Sequence, residues 1–359
     1  MSYRIAVDTG GTFTDVVVAD QDGGLTVGKS LTTPERTYDG FSGALSNAAD
    51  IIGVSVETLM TETEVLIYGT TRSTNSIVEN KTAKTALLVT EGFPDTLLYR
   101  QGGKREPLNL AMEFPPPYVP RRLTFEIPER INAEGGVEKS LDEEAARLII
   151  SCLAEKGIEA VAVSLLWSIV NAEHEIKIGE MLSTIMPGIP FTLSHQLNPI
   201  IREYPRTSST AIDASLKPLM QSHLTEFEND LRKANYDGEI LVSACSGGVM
   251  HVEDVVEKPI YTVKSGPAMA PLAGIAYAEA EDKGNDVIIV DTGGTTFDVS
   301  MVRAGQPKFT RETWLLGELI GYNLGLSSVD VRSVGAGGGS IAWIDSGGLL
   351  RVGPKSAGA

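Results

Sequence analysis

The sequence predicts an α/β protein of two lobes, on three observations. Short β-branched runs alternate with amphipathic helical stretches along most of the 359 residues, the order expected of layered α/β domains. An unusual turn, Asp-Thr-Gly-Gly-Thr, occurs twice, in "VDTGGTFTDVV" at residues 7–17 and in "VDTGGTTFDVS" at 290–300. Between the copies, residues 187–205 carry the breakers "PGIPF" and "NPI", which punctuate the alternation into two units. We therefore place the lobes at 1–190 and 191–359, a length that suits more than one core.

Each element follows from local pattern. "RIAVDT", "TDVVVAD" and "LTVGKSLTT" read as an antiparallel meander, with "QDGG" as the tight connection between the last two. Phe41, Leu45, Ala48, Ala49 and Ile52 recur at helical spacing and Gly53 stops the helix. "VLIYGTT" and "TALLVTEGF" read as buried strands around a helical "STNSIVENK". Residues 100–128 are rich in Gly, Pro and Arg and predict an extended, packed loop. Beyond it come a helix over "DEEAARLIISCLAEKG", a strand "AVAVSLLW", and helices at 171–186 and 206–234. Strand "EILVSAC", helix "PAMAPLAGIAYAEA" and strand "DVIIVDT" complete the second unit.

Composition excludes several classes. A formal charge of −17 opposes nucleic acid, which draws affinity from clustered Lys and Arg. A nucleotide is still admissible, because backbone amides and a divalent cation hold phosphate without a basic patch. No apolar run is long enough to span a membrane, and "MSYRIAVDTGG" carries no secretory signal pattern, so a cytoplasmic location is expected. Cys152 and Cys245 read as buried small hydrophobes. His174, His195, His223 and His251 show no metal-ligand spacing, and neither Ser246 nor Ser265 sits in a G-x-S-x-G elbow.

The repeated turn is the candidate site. Adjacent glycines bring bare backbone to a ligand and let successive N–H groups converge on phosphate. One copy would read as an ordinary hairpin whose threonines bond locally. Two copies, each behind a buried run, read as paired phosphate loops. The first offers Asp8, Thr9, Gly10, Gly11, Thr12 and Thr14; the second offers Asp291, Thr292, Gly293, Gly294 and Thr295. Asp8 and Asp291, at strand ends, suit a hydrated magnesium ion. A third cluster, "VGAGGGSIAW", places Gly337, Gly338 and Gly339 where a flat ligand can lie on backbone. "GGLTVGKS" at 23–30 fits P-loop spacing, but strand text replaces the required helix.

With these turns in place, the chain resembles the actin and sugar-kinase superfamily, whose two ribonuclease H-like lobes flank a nucleotide cleft. Within it, the chain is similar to the hydantoinase A and 5-oxoprolinase family. "DTGGTFTDVVV", "YGTTRSTNSIVENK", "LVTEGFPD", "PPPYVPRRL", "EYPRTSSTAIDASLKP", "VKSGPA", "DTGGTTFDVS" and "SVGAGGGSIAWIDSGGLLRVGPKSAGA" carry this likeness. The resemblance implies ATP and Mg2+ as cofactors, with Asp8 and Asp291 in the magnesium shell through water and Gly337–Gly339 under the nucleoside. It also implies sequence beyond "GPKSAGA", so that the second lobe is incomplete here. Many members have a histidine where this chain has Arg332 followed by Ser333.

"VDVRSVGAGGGS" and the Pro-rich segment resemble the ketone carboxylase branch, and point to the alpha subunit of acetophenone carboxylase. That likeness implies a subunit of a hetero-oligomer that phosphorylates a ketone enolate and carboxylates it with bicarbonate to a β-keto acid. The family's other branch hydrolyses hydantoins or 5-oxoproline at the expense of ATP. A rival of another class is an actin-like ATPase that switches assembly without phosphorylating a small molecule. No general base is identified, and Asp15 and Asp298 serve equally well to orient the turns.

Overall fold

The computed structural model describes every residue except 1, 34, 103–105, 107, 114, 294, 295, 358 and 359. The opening meander forms as predicted from β1 (Tyr3–Thr9), β2 (Phe13–Ala19) and β3 (Leu25–Leu31), paired antiparallel in that order. Helix α1 (Thr37–Ile52) crosses it and ends at Gly53, whose left-handed backbone (φ 84°) lets its N–H cap the Ala49 carbonyl. Helix α2 (Val56–Glu62) leads into β4 (Thr63–Thr70), parallel to β1, and α3 (Arg72–Val78) follows.

The next strands build a separate, wholly parallel sheet. After β5 (Thr85–Thr90) and the short α4 (Thr96–Tyr99), the Pro-rich segment ends in a strand, β6 (Thr124–Ile127), parallel to β5. A small pair, β7 (Arg130–Ile131) and β8 (Val137–Lys139), precedes α5 (Glu143–Glu155), β9 (Ala160–Ser164), α6 (Glu173–Ile185) and β10 (Phe191–Leu193). The sheet order is β10-β9-β5-β6. Its apolar strands are buried on both faces, as parallel sheets require.

Short α7 (Ser194–Leu197) and the long α8 (Glu203–Lys233) return the chain to the first sheet, where β11 (Glu239–Ala244) lies parallel to β4 and β12 (Gly248–His251) closes the edge. The first sheet is thus β12-β11-β4-β1-β2-β3. The expected division at residue 190 does not follow the sheets: β9 and β10 pair across it, and β11 and β12 join the sheet of β1. The cause is α8, which lies between two apolar cores and contributes Ile212, Leu216 and Met220 to one and Ala211 and Ala214 to the other.

After α9 (Val252–Glu257), helix α10 (Ser265–Ala280) packs on β4 and β11 and also on β13 (Val287–Thr292) and β14 (Phe297–Arg303). These two strands form the second hairpin, and strand Val331–Val334 pairs with β14. The hairpins share register: Asp8 faces Asp15 as Asp291 faces Asp298. They differ beneath. Ile5, Val7 and Val18 are 1, 4 and 1 % exposed, whereas their register mates Ile288, Val290 and Met301 are 69, 53 and 46 % exposed.

The P-loop-like stretch is strand β3. A β-carbon on Gly28 would lie 2.0 Å from the Ala44 carbonyl oxygen and 2.8 Å from the Ala48 nitrogen, so this glycine admits α1 onto the meander. Lys29 instead pairs with Asp15 (Nζ–Oδ1 2.7 Å) and covers the Phe13 ring. Cys245 is buried, which pushes its thiol up to about 12, and Cys152 is half-buried. No helix is long and apolar enough to cross a membrane among the described residues.

Candidate functional site

Both glycine turns close in the same way. Gly10 N–H donates to the Phe13 carbonyl at 3.0 Å, and Gly293 N–H donates to the Thr296 carbonyl at 2.9 Å. The first turn presents its middle residues outward at a strand end. Gly11 and Thr12 are exposed, and among the described residues their amides take no hydrogen-bond partner. Gly294 and Thr295, the matching candidates, lie outside the described residues.

Thr14 does not face a ligand. It is buried, and its hydroxyl is 3.1 Å from that of Thr32, which in turn donates to the Gly10 carbonyl at 2.9 Å. Because Thr14 alternates inward on β2, it braces the turn from behind. Thr9 is also buried, but its Oγ1 finds no hydrogen-bond partner of ordinary geometry among the described residues. At the second turn Asp298 repeats this: Oδ1 is buried and unpartnered among the described residues, while Oδ2 accepts from Thr296 Oγ1 at 3.4 Å.

The third glycine cluster joins the second turn. Strand Val331–Val334 lies beside β14, with Val334 opposite Phe297, and Gly338 N–H donates to the Gly293 carbonyl at 2.9 Å. Gly338 thus abuts Gly293. Arg332, at the position where a histidine is frequent, is exposed and paired with Asp330 (Nε–Oδ1 2.8 Å), and Ser333 stands opposite Asp298.

The first turn opens onto a cleft of about 360 Å³ formed with the β4–α3 segment and α8. Thr9, Gly10 and Gly11 line it together with Thr37, Tyr68, Arg72, Asn75 and His223, whereas no described residue of the second turn does. Tyr68 is fully buried and its hydroxyl meets His223 Nε2 at 2.9 Å. Burial, then the nearby Arg72 cation, push His223 down to about 4, so it stands in the wall as a neutral imidazole. The Tyr68–His223 pair was not apparent from sequence, because it joins residues 155 positions apart that no motif links.

A magnesium nucleotide fits these residues. Asp8 is raised above the usual carboxylate range by desolvation among the strand ends, then by Asp15, with Lys29 opposing. Asp8 and Asp291, each opposite a second aspartate at its strand end, would suit Mg2+, which keeps most of its waters. Among the described residues no group of three or more His, Cys, Asp or Glu side chains is arranged to hold a metal. The orphaned Thr9 and Asp298 oxygens mark unsatisfied polar positions at both turns, the kind of atom that awaits a partner.

A mixed-sheet α/β fold carrying one Asp-Thr-Gly-Gly hairpin in each of two sheets defines a two-lobed protein of the actin-like class. The chain belongs to the hydantoinase/oxoprolinase family: the model of its N-terminal region matches residues 4–186 and the hydantoinase/oxoprolinase model matches residues 206–359. It is 34% identical over 369 residues to the acetophenone carboxylase gamma subunit of Aromatoleum aromaticum, covering 99% of this chain and 50% of that one. The related subunit is thus the gamma, where the alpha was expected.

Two solved structures resemble it. The crystal structure of ATP-dependent caprolactamase from Pseudomonas jessenii superposes with a TM-score of 0.89 at 33% identity, covering 99% of this chain and 51% of that one. Nucleotide-free acetone carboxylase, from work on ATP-dependent acetone carboxylation, gives 0.84 at 26% identity, with the same coverage of 99% and 51%. The chain spans about half the length of the curated relatives it matches.

Proposed function

We propose that this chain is the ATP-binding part of a cytoplasmic enzyme subunit that activates a small carbonyl compound by phosphorylating its oxygen. The observation that carries this reading is the docking of Gly338 on Gly293, which joins the second and third glycine segments, beside a hairpin whose register and closing bond match those of the first. Bound ATP with Mg2+ would supply an electrophilic γ-phosphoryl group.

The chain's own part is positioning and charge neutralisation. Gly10, Gly11 and Thr12 hold one side of the phosphates through free amides, with Thr9 Oγ1 as a further donor. Thr292, Gly293, Gly294 and Thr295 hold the other side, Asp8 and Asp291 orient the hydrated ion, and Gly337–Gly339 underlie the nucleoside. An activated enolate leads to carboxylation by bicarbonate with partner subunits, the outcome supported by the segment "VDVRSVGAGGGS" and by the carboxylase relatives.

A second outcome, opening of a phosphorylated cyclic amide by water, is supported by the likeness to caprolactamase, in sequence and in fold. With partner subunits present, Asp8→Asn and Asp291→Asn should each abolish ATP turnover stimulated by carbonyl compounds. Labelled bicarbonate entering the product marks carboxylation, and its exclusion during turnover of a cyclic amide marks hydrolysis. Near-normal turnover in both variants would reduce the turns to structural hairpins.

A further inference from the structure

Lys264 spans the two halves of the candidate site. It precedes α10 in a left-handed backbone conformation (φ 58°, ψ 25°), which a residue with a β-carbon adopts at a cost and which tends to persist at functional positions. Its N–H donates to Thr74 Oγ1 on α3 at 3.0 Å, on the side of the first turn. Its side chain runs the other way, and the ammonium donates to the Trp314 carbonyl at 3.3 Å.

The charges around that ammonium do not balance. Burial lowers the Lys264 pKa, Asp298 of the second hairpin opposes that, and Arg332 reinforces it. Yet among the described residues Asp298 keeps a buried oxygen without a hydrogen-bond partner, and the ammonium has one long bond to a neutral carbonyl. A half-buried ammonium has three donors to satisfy. The next residue, Ser265, is tied to the first turn's surroundings: Ser243 Oγ donates to its Oγ at 3.0 Å. Ser243 Oγ and Asp8 Oδ1 both lie within 3.6 Å of the point where a β-carbon on Gly69 would sit. Lys264 therefore has its main chain beside the elements that flank Asp8 and its ammonium within the influence of Asp298.

We infer that Lys264 is a phosphate-binding residue of the nucleotide site, its ammonium exchanging the Trp314 carbonyl for a phosphate oxygen held at the second turn. This rests on the nucleotide reading above. It also makes Lys264 the physical link between phosphate at the second turn and α3 beside the first, because its main chain is held by Thr74.

The test is direct binding of adenosine, ADP and ATP with magnesium to the intact enzyme, partner subunits included, for the wild type, Lys264→Asn and Lys264→Arg. Asparagine tolerates the left-handed backbone, so Lys264→Asn removes the charge while sparing the turn. It should weaken ATP about tenfold or more, ADP less, and adenosine by no more than twofold, while Lys264→Arg stays within about threefold of wild type for all three. Equal weakening of all three ligands, or unchanged ATP affinity in Lys264→Asn, overturns the assignment and leaves the nucleotide reading standing. A wild type that binds none of the three overturns both.

Discussion

His223 provides a quantitative check on the packing behind the first turn. The folded protein holds this imidazole at about 4 against an ordinary 6.5, with burial the main cause and Arg72 second. Above pH 6.5 the ring is neutral whether the chain is folded or not, and it contributes no pH dependence. As pH falls from 6.5 towards 4, the unfolded chain takes up a proton that the folded chain refuses, so stability is lost over that window. At about 1.4 kcal/mol per pH unit, the loss approaches about 2 kcal/mol at pH 5 and about 3 kcal/mol at pH 4. Asp213, buried and pushed up to about 6, titrates with the opposite sign over the same range, so the wild-type profile alone is uninformative. The measurement is urea unfolding of wild type and His223→Gln at pH 7.5 and pH 5. Relative to wild type, the variant should gain about 2 kcal/mol between the two conditions. Parallel pH dependence in the two proteins would show that the Tyr68–His223 contact does not exclude the proton, and the neutral wall of the cleft would have to be abandoned.

Two further predictions test the first hairpin. Lys29→Met removes the cation that lowers Asp8, so the acid limb of magnesium-dependent turnover should move to higher pH while ATP affinity changes less than about threefold; a loss of about a hundredfold, as for a phosphate-loop lysine, would reinstate the P-loop reading. Gly28→Ala drives a β-carbon into the α1 backbone at Ala44 and Ala48 and should cost about 3 kcal/mol by overpacking, read as a shift in urea midpoint. Stability within about 0.5 kcal/mol of wild type would mean that α1 does not sit against β3 as described.

The hairpins were legible because their chemistry is local: strand alternation, Gly-Gly and the flanking aspartates all fall within about ten residues. Helix α1 was legible for the same reason, down to its Gly53 cap. The route of α8 was not. Its run Thr207–Ser215 reads as polar surface yet is entirely buried, because the hydroxyls are satisfied within reach: Ser209 and Thr210 donate to the Arg206 carbonyl, Ser215 to that of Ile212 and Ser208 to that of Asn323. A hydropathy reading therefore places the helix outside, while it lies between two cores. The sheets do not divide at residue 190, because α8 carries the chain back so that β11 pairs with β4, a long-range pairing that no local pattern announces. Lys264 was visible within "VKSGPA" but had no role until its two ends were seen to point to different sheets.

The unequal footing of the two hairpins has a dynamic consequence. In the first, Ile5, Val7 and Val18 sit in the main core, so its ladder opens only when that core does and its amides belong to the slowest-exchanging class. In the second, Ile288, Val290 and Met301 are exposed in this chain, which spans about half the length of the relatives it matches. Comparing exchange at the two ladders, with and without partner subunits, therefore reads whether anything comes to rest on that face, with the first ladder as the slow internal standard.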